Sequence, residues 1–233
     1  MPAAVPDVTA ATFSAPLDRE RQAAPQIFER LRRAIISLQL PPGTVLSRLR
    51  LMEQFGVSQT PIRDAMLRLA EEKLVDVFAQ HATVVSTIDL DLARQTHFLR
   101  QAVELEVVRN LALAGDRRFV AALRQELAVQ KAMIAVGDPA ASRDSDLIFH
   151  KRLCDLAGVA DLWALIRSRS GHLDRLRLLH LPPLGKGLAD HIAVLDAIER
   201  GEADVAQALL RRHMSRTFGL IDEIRSQHPS YFR

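Results

Sequence analysis

A tight, glycine-bearing turn between two short amphipathic stretches constrains the fold of this chain more than any other feature. Before the turn Gly56-Val57-Ser58, a helical stretch from about Leu49 to Phe55 follows Ser47, a residue type that caps helices well. After the turn, Thr60 is a second capping residue, and Pro61 follows at the first helical position, where its missing amide costs nothing. Two helices joined by such a turn are typical of the helix-turn-helix, which the spacing therefore predicts.

The segments on either side of this motif extend it to a winged form. Residues 26–40 repeat apolar side chains at helical spacing. The run Pro41-Pro42-Gly43 ends that helix, because proline lacks the amide and glycine readily adopts the left-handed turn. Residues 74–78 and 83–86 are rich in β-branched side chains and flank a polar break, which predicts a two-stranded hairpin, the wing.

From Asp89 onward the apolar residues recur at helical spacing with few interruptions. The pattern predicts six helices joined by short links, as in an antiparallel bundle, at about residues 90–113, 117–136, 139–157, 160–180, 187–200 and 203–226. The predicted fold class is mainly α, with an N-terminal winged helix-turn-helix followed by an all-α antiparallel helical bundle. Residues 1–24, which mix proline and alanine with charged residues, are expected to form a flexible tail.

Composition narrows the classes of protein to which the chain can belong. With 233 residues, 48% hydrophobic and 25% charged, it is long enough for two modest globular domains. Its single cysteine, Cys154, excludes an intramolecular disulfide framework and favours a reducing compartment. No apolar run approaches the roughly 18–20 residues that span a bilayer, and no secretory signal is recognisable. We therefore expect a cytoplasmic protein without a membrane partner, whose net charge of +3 permits nucleic-acid binding without requiring it.

Two runs around the helix-turn-helix resemble segments of a known family. Residues 40–47, Leu-Pro-Pro-Gly-Thr-Val-Leu-Ser, resemble the turn after the first helix of the GntR family, and residues 56–65 resemble its core motif. Leu67, Leu69 and the run Lys73-Leu74-Val75 continue the match. The helical remainder resembles the FadR-like subgroup, whose C-terminal FCD-type bundle senses small metabolites. The resemblance covers nearly everything after residue 25.

This resemblance implies a function for each predicted domain. Residues 25–88 would be the winged helix-turn-helix that binds double-stranded operator DNA, and residues 89–228 the helical domain for effector binding and dimerisation. A homodimer is implied because one recognition helix reads only a few base pairs, so that two copies are needed on a pseudo-palindromic operator. Repression that a ligand relieves is the default in the family.

The helix-turn-helix also predicts which residues contact DNA. Arg63 projects from the first turn of the second helix and is the best candidate for a base contact, worth about 1–3 kcal/mol of discrimination if bidentate to guanine. Three polar residues at the same helix end suit contacts with phosphates or bases, namely Thr60, Gln59 and Ser58.

The chain departs from the family pattern at several DNA-contact positions. Gln59 stands where the family usually has arginine, and Leu49 stands where another contact arginine is common. The flanking Arg48 and Arg50 are the candidates to replace the latter. His81 stands at the wing tip, where glycine is usual, and is predicted to enter the minor groove. The operator sequences of relatives therefore do not transfer to this chain.

One carboxylate and three imidazoles in the predicted bundle have a pattern that suits a metal ion. Asp146 and His150 are four residues apart, which places both side chains on one face of a helix, while His191 and His213 lie on two further predicted helices. Alone, such an Asp-x-x-x-His pair is more often a helix cap or a surface pair. Together the four positions resemble the metal-binding FadR-like subgroup, which implies a divalent transition metal. The ligand set suits zinc first, with nickel or manganese as alternatives.

The resemblance also implies what the metal would do. It would hold a small carboxylate effector at one or two open coordination positions, and an arginine would bind the second carboxylate oxygen. The candidate effector-binding residues are Arg100, which forms a helical pair with Glu104, and Arg175.

Two other functions remain open for the bundle. A metal-dependent hydrolase would use the same carboxylate and histidines to activate water, and a bundle without a ligand would serve only for dimerisation. A hydrolase also needs a general base near the open position, and the chain has no HExxH, GxSxG, GxxxxGK[ST] or GxGxxG motif. The sequence therefore predicts a non-enzyme, a DNA-binding regulator whose operator affinity is controlled by a small carboxylate at a metal centre.

Overall fold

Helices dominate the fold, as the sequence predicts. The computed structural model describes residues 13, 15–78, 82–180 and 185–233, apart from the side chains of residues 139 and 140. Within these residues the elements follow in the order α1 (Ala23–Ile36), β1 (Val45–Leu46), α2 (Arg48–Phe55), α3 (Gln59–Glu71), β2 (Val75–Val77), β3 (Thr83–Val85), α4 (Leu90–Leu113), α5 (Phe119–Val136), α6 (Pro139–Leu156), α7 (Ala160–Arg169), α8 (Gly171–Leu178), α9 (Lys186–Arg200), α10 (Ala203–Ser215) and α11 (Ile221–Gln227), with short 3-10 helices at Arg216–Leu220 and Pro229–Tyr231.

The chain forms two compact units. The first contains the residues up to Ala93 together with Arg169–Leu179 and Asp222–Arg233, and the second contains Arg94–Ser168 and His180–Ile221. The sequence pattern groups α8 and the C-terminal residues with the bundle, but in the structure they lie in the first unit. Helical periodicity shows which face of a helix is buried and does not show which neighbour buries it.

The first unit contains the predicted winged helix. Helices α1, α2 and α3 enclose an apolar core whose fully buried side chains include Ile27, Leu31, Ile35, Leu51, Ile62 and Leu69. The two wing strands pair antiparallel, with Val75 opposite Val85. The two-residue strand β1, too short to give a periodic signal, pairs with β3 and makes a three-stranded sheet of order β1-β3-β2.

The first helix of the helix-turn-helix begins and ends as predicted. The Ser47 hydroxyl accepts a hydrogen bond from the Arg50 amide at 3.4 Å and caps α2. Gly56 ends this helix in the left-handed conformation, with a φ of 62°, which a side chain would disfavour.

The second helix begins earlier than predicted. α3 starts at Gln59, with Ser58 at the N-cap position, so the predicted cap at Thr60 is wrong. Pro61 is therefore the third helical residue rather than the first. It is tolerated there because the amides of the first turn have no acceptor within the helix.

The segment that precedes α1 is not entirely a flexible tail. Phe13 is only 8% exposed, and its ring centroid lies 5.1 Å from that of Phe55 in the winged-helix core. The Arg30 guanidinium donates to the Pro16 carbonyl at 2.6 Å and also to the Ala15 carbonyl. The described part of this segment is therefore ordered on the winged helix, because an aromatic side chain within it fills an apolar site.

The second unit is a helical domain built from α5, α6, α7, α9, α10 and most of α4. Its core includes the buried residues Val108, Leu123, Phe149, Leu153, Leu195, Ile198 and Leu210. The predicted helix 203–226 is interrupted by a 3-10 segment, and the predicted helix 160–180 is divided into α7 and α8 at Ser170. Within the part of the chain that the structure describes, no helix is long and apolar enough to cross a membrane.

The first residue of α8 lies so close to the winged helix that only glycine fits. A Cβ atom on Gly171 would stand 2.4 Å from Cδ2 of Leu74. We therefore expect Gly171→Ala to lower the free energy of unfolding by about 1–3 kcal/mol through overpacking. Urea denaturation would measure the loss.

Gly115 provides the matched control, because a Cβ there meets no atom within 4 Å. Gly115→Ala is expected to leave stability nearly unchanged. Combining Gly171→Ala with Leu74→Val should cost less than the sum of the two single changes, because the smaller side chain makes room for the new methyl group. Equal stability of the two alanine variants would contradict the close approach.

Candidate metal centre and nucleic-acid interface

The structure brings the four predicted metal ligands together in the second unit. Asp146 and His150 lie one turn apart on α6, while His191 is on α9 and His213 on α10. Each residue offers one ligand atom, and these atoms lie within 4.8 Å of one another. All three histidines are buried, and Asp146 is half-buried.

The distances between the ligand atoms suit a single divalent metal ion. The Nε2 atom of His213 lies 3.3 Å from that of His150 and 3.2 Å from that of His191. Oδ1 of Asp146 lies 3.4 Å from His191 Nε2 and 3.8 Å from His213 Nε2, and Oδ2 lies 4.0 Å from His150 Nε2. Ligands at about 2.0–2.1 Å from one metal ion are separated by about 3.3 Å in a tetrahedral arrangement, and by about 3–4 Å in an octahedral one, in which four protein ligands leave two positions open. The residues present therefore fit a divalent metal.

An oxygen atom from a different helix faces the Nδ1 atom of each histidine. His150 Nδ1 donates to Glu104 Oε2 at 2.6 Å, and His191 Nδ1 donates to Gln130 Oε1 at 2.9 Å. In the same way, His213 Nδ1 donates to Asp190 Oδ2 at 3.1 Å. Because a carboxylate or an amide oxygen only accepts, the ring proton stays on Nδ1 and the Nε2 lone pair is left for a metal.

The sequence pattern does not predict the residues that orient the histidines. The sequence predicts Glu104 only as the helical partner of Arg100 and gives no signal for Gln130 or Asp190. They are 46, 61 and 23 residues from the histidines that they contact, so no local spacing signals the contacts.

Arg100 holds the buried carboxylate of Glu104. Its Nε lies 2.6 Å from Oε1 and its Nη2 3.4 Å from Oε2, which confirms the predicted helical pair. Burial raises the pKa of Glu104, but Arg100 and His150 outweigh it and hold this pKa well below its usual range. Burial lowers the pKa of His150, against the opposing effect of Glu104. Nε and Nη2 of Arg100 thus donate to Glu104, which leaves fewer guanidinium N–H groups for the predicted effector contact.

Arg175 does not serve as predicted. It lies in the first unit, fully buried, where its Nη1 donates to the Ser86 carbonyl at 2.6 Å and its Nη2 to the Ser86 hydroxyl at 3.3 Å. Nη2 also lies 3.1 Å from Nδ1 of His172. Burial lowers the pKa of Arg175 to about 10. The prediction that Arg175 clamps an effector is corrected, because these contacts assign the guanidinium to a network at the end of β3.

The predicted DNA-contact residues that the structure describes lie on the surface. Ser58, Gln59 and Thr60 are exposed at the start of α3, and the side chain of Arg63 is 62% exposed one turn further on. Gln59 and Arg63 are four residues apart and share one face of the helix.

The remaining predicted contacts belong to α2 and to the wing. Arg48 and Arg50 are exposed in the first turn of α2. Leu49 between them is 64% exposed. His81 lies outside the described residues.

Comparison with known proteins yields two family matches. Residues 23–85 match the family described as bacterial regulatory proteins, gntR family, and residues 95–216 match the FCD domain. An HTH-type transcriptional regulator from an unstable DNA locus of Streptomyces ambofaciens is 33% identical over 219 residues, which are 88% of each chain. The HTH-type transcriptional repressor RspR of Escherichia coli K12 is 28% identical over 210 residues, covering 89% of this chain and 92% of its own.

Solved structures share the fold. Escherichia coli McbR/YncC superimposes with a TM-score of 0.70 at 21% identity, covering 89% of this chain and 99% of its own. A GntR-type putative regulator from Rhodococcus sp. RHA1 gives a TM-score of 0.68 at 22% identity, covering 90% and 99%. At such identities the likeness supports the fold alone.

Proposed function

The chain belongs to the GntR family of bacterial regulatory proteins, with an FCD domain behind its winged helix, and from this premise we propose that a small carboxylate metabolite bound at a divalent metal ion controls its affinity for operator DNA. The protein is a transcription regulator and not an enzyme, in keeping with its relatives. The observation that carries the proposal is the convergence of three Nε2 atoms and one carboxylate within 4.8 Å.

The proposed ligands are Asp146, His150, His191 and His213, with zinc as the first choice and nickel or manganese as alternatives. When bound, the metal would supply a positive charge that attracts the effector carboxylate to an open coordination position. The three histidines are buried and Asp146 is half-buried, so bulk water has limited access to this site. Their Nδ1 partners keep the rings in the orientation that a metal requires.

DNA recognition is proposed to use the exposed start of α3 and the first turn of α2. Arg63 and Gln59 would face base edges, while Ser58, Thr60, Arg48 and Arg50 would contact phosphates or flanking bases. We propose a homodimer, because a single recognition helix reads too few base pairs for specific binding. The effector would bind more tightly to one arrangement of the dimer and so change the population that fits the operator. Repression is proposed because RspR is named a repressor.

Asp146→Asn tests the metal centre, and Asp144→Asn is its matched control, since Asp144 is an exposed carboxylate on the same helix. Loss of a residue that only hydrogen-bonds to a metal ligand lowers metal affinity by about 10–100-fold. Because Asp146 is itself a proposed ligand, we expect Asp146→Asn to weaken zinc binding by more than this. Carboxylates should then no longer change operator affinity, whereas Asp144→Asn should behave as the wild type. Chelator competition measures the first effect, and operator titration with a panel of small carboxylates measures the second.

Two outcomes would count against the proposal. Carboxylate-dependent operator binding that persists in metal-free Asp146→Asn protein would remove the metal from the mechanism. Metal-loaded wild-type protein whose operator affinity no small carboxylate changes would favour a bundle that serves only for dimerisation.

A further inference from the structure

The three histidine rings of the metal centre are held by chemically different acceptors. His150 donates to a carboxylate, Glu104, which is fully buried, at 2.6 Å. His191 donates to the neutral amide of Gln130 at 2.9 Å. The third ring donates to Asp190, a partly exposed carboxylate that also pairs with an arginine of the following 3-10 segment. The rings are therefore not equivalent as ligands.

The acceptor on Nδ1 influences how strongly Nε2 binds a metal. A carboxylate draws the Nδ1 proton toward itself and increases the electron density on the ring, so the opposite nitrogen becomes a better donor. Hydrogen bonds to a charged acceptor can also be shorter and roughly twice as strong as neutral ones. The shortest of the three is the 2.6 Å bond from His150, against 2.9 Å at His191 and 3.1 Å at His213, whose acceptor Asp190 is partly exposed and shared with an arginine. His150 is thus the most strongly oriented ligand.

A buried carboxylate needs a compensating charge, and Arg100 supplies it. The guanidinium contacts both oxygens of Glu104, at 2.6 and 3.4 Å, and is itself only 3% exposed. A buried ion pair of this kind stabilises a fold weakly compared with an apolar pair of the same volume, so its presence points to a role other than stability.

Trp163 completes the surroundings of the His150 ring. Its ring is nearly parallel to that of His150, with an interplanar angle of 6° and centroids 6.5 Å apart. The Arg100 guanidinium carbon lies 5.9 Å from the Trp163 centroid, so the same indole lies beside both Arg100 and His150. The ring of His150 is therefore confined in orientation as well as in tautomer.

We propose that Glu104 is a positioning residue for the metal centre: held by Arg100, its buried carboxylate fixes the Nδ1–H tautomer of His150 and makes His150 the anchoring ligand. This inference rests on the proposed metal site. It also assigns Arg100 to charge compensation for Glu104 rather than to the effector carboxylate.

The decisive variant is Glu104→Gln, which keeps the shape of the side chain and removes its charge. An amide can accept from Nδ1–H or donate to a bare Nδ1, so the variant no longer selects one tautomer. We expect a 10–100-fold loss of affinity for Zn²⁺ and Co²⁺, measured by chelator competition. The visible absorption band of bound Co²⁺ should shift, because the donor strength of one ligand changes. A side chain with a purely structural role would leave that band unaltered.

A double variant separates two causes of this loss and protects the test from misfolding. Glu104→Gln alone removes the negative charge that faces the buried Arg100 cation, which can repel a metal or unfold the chain. In Arg100→Gln combined with Glu104→Gln that cation is gone. If tautomer control is the cause, the double variant still binds metal weakly; recovery of wild-type affinity would show that Glu104 only neutralises Arg100 and would overturn the proposal.

Wild-type protein serves as the reference that distinguishes this inference from the proposed function. If wild-type protein binds neither Zn²⁺ nor Co²⁺, the metal site itself is refuted. If it binds them and Glu104→Gln binds equally well with an unchanged Co²⁺ band, only the role of Glu104 is refuted. Proton-detected ¹⁵N spectra of the zinc form, which locate the His150 ring proton, should show it on Nδ1 in the wild type.

Discussion

Replacing Arg63 by alanine is expected to weaken operator binding by about 5- to 150-fold for each recognition helix, the equivalent of one lost bidentate contact with guanine. The side chain is 62% exposed on α3, and its Nε lies 3.6 Å from the carboxylate of the adjacent Asp64. Because a dimer presents two such helices to a pseudo-palindromic operator, the two losses multiply. Fluorescence anisotropy on an operator that the wild-type protein has selected from random DNA would measure them.

Arg48→Ala is the matched control, because Arg48 is also exposed but is proposed to contact a phosphate. Its loss should weaken binding to all sequences alike and reduce the salt dependence by about one phosphate contact. Arg63→Ala should instead relax the base preference at one position of each half-site. Replacing guanine by 7-deazaguanine there should weaken wild-type binding and have little further effect on the variant. A uniform loss across all sequences would assign Arg63 to a phosphate.

The sequence predicts those features of this protein that depend on neighbouring residues. The helix-turn-helix follows from a capping serine, Ser47, and a left-handed glycine, Gly56, both of which act within a few residues. The pair Asp146 and His150 follows from a spacing of one helical turn. That His191 and His213 join them was expected only through the family resemblance, because the periodicity of a helix does not identify the helix against which it packs.

Apart from the start of α3, the features that the sequence did not predict depend on contacts between distant segments. Arg175 is predicted as an effector ligand, but a cation on a helix gives no sign of its acceptor, and Ser86, which it contacts, lies 89 residues away. The contact between Glu104 and His150 spans 46 residues. Phe13 was assigned to a flexible tail because a single aromatic residue among small and polar ones has no periodicity, although its ring packs on Phe55.

Acidification is expected to remove about 3 kcal/mol of stability through His172 as the pH falls from about 6.5 to about 4. Burial first, and then the nearby Arg175, lower the pKa of His172 to about 4 in the folded chain. The unfolded chain takes up this proton near pH 6.5. Between these values protons bind the unfolded state preferentially, so the free energy of unfolding falls with the pH. Above pH 6.5 both states are neutral and the contribution is fully retained.

Hydrogen bonds explain why the folded chain resists protonation of His172. Its Nδ1 accepts from the Asp89 amide at 3.0 Å and lies 3.1 Å from Nη2 of Arg175, while its Nε2 donates to the Lys73 carbonyl at 3.0 Å. A proton on Nδ1 would face two donors and would add a second positive charge beside a buried guanidinium. The carboxylate of Asp89 opposes this effect, and Arg233 reinforces it, but both influence His172 less than burial does.

Urea denaturation of the metal-free protein from about pH 7 to about pH 4 would measure this dependence, with His172→Gln as the comparison. Glutamine keeps an amide donor and acceptor of similar reach and does not titrate. The variant should be less stable than the wild type near pH 7, and the two stability curves should converge as the pH approaches 4. Parallel curves would assign the acid sensitivity to other buried groups such as His150, whose pKa burial also lowers. Convergence would instead assign the acid sensitivity to His172 and the hydrogen bonds that link α8 to the base of the wing. Protonated His172 cannot retain these bonds, because its Nδ1 then no longer accepts.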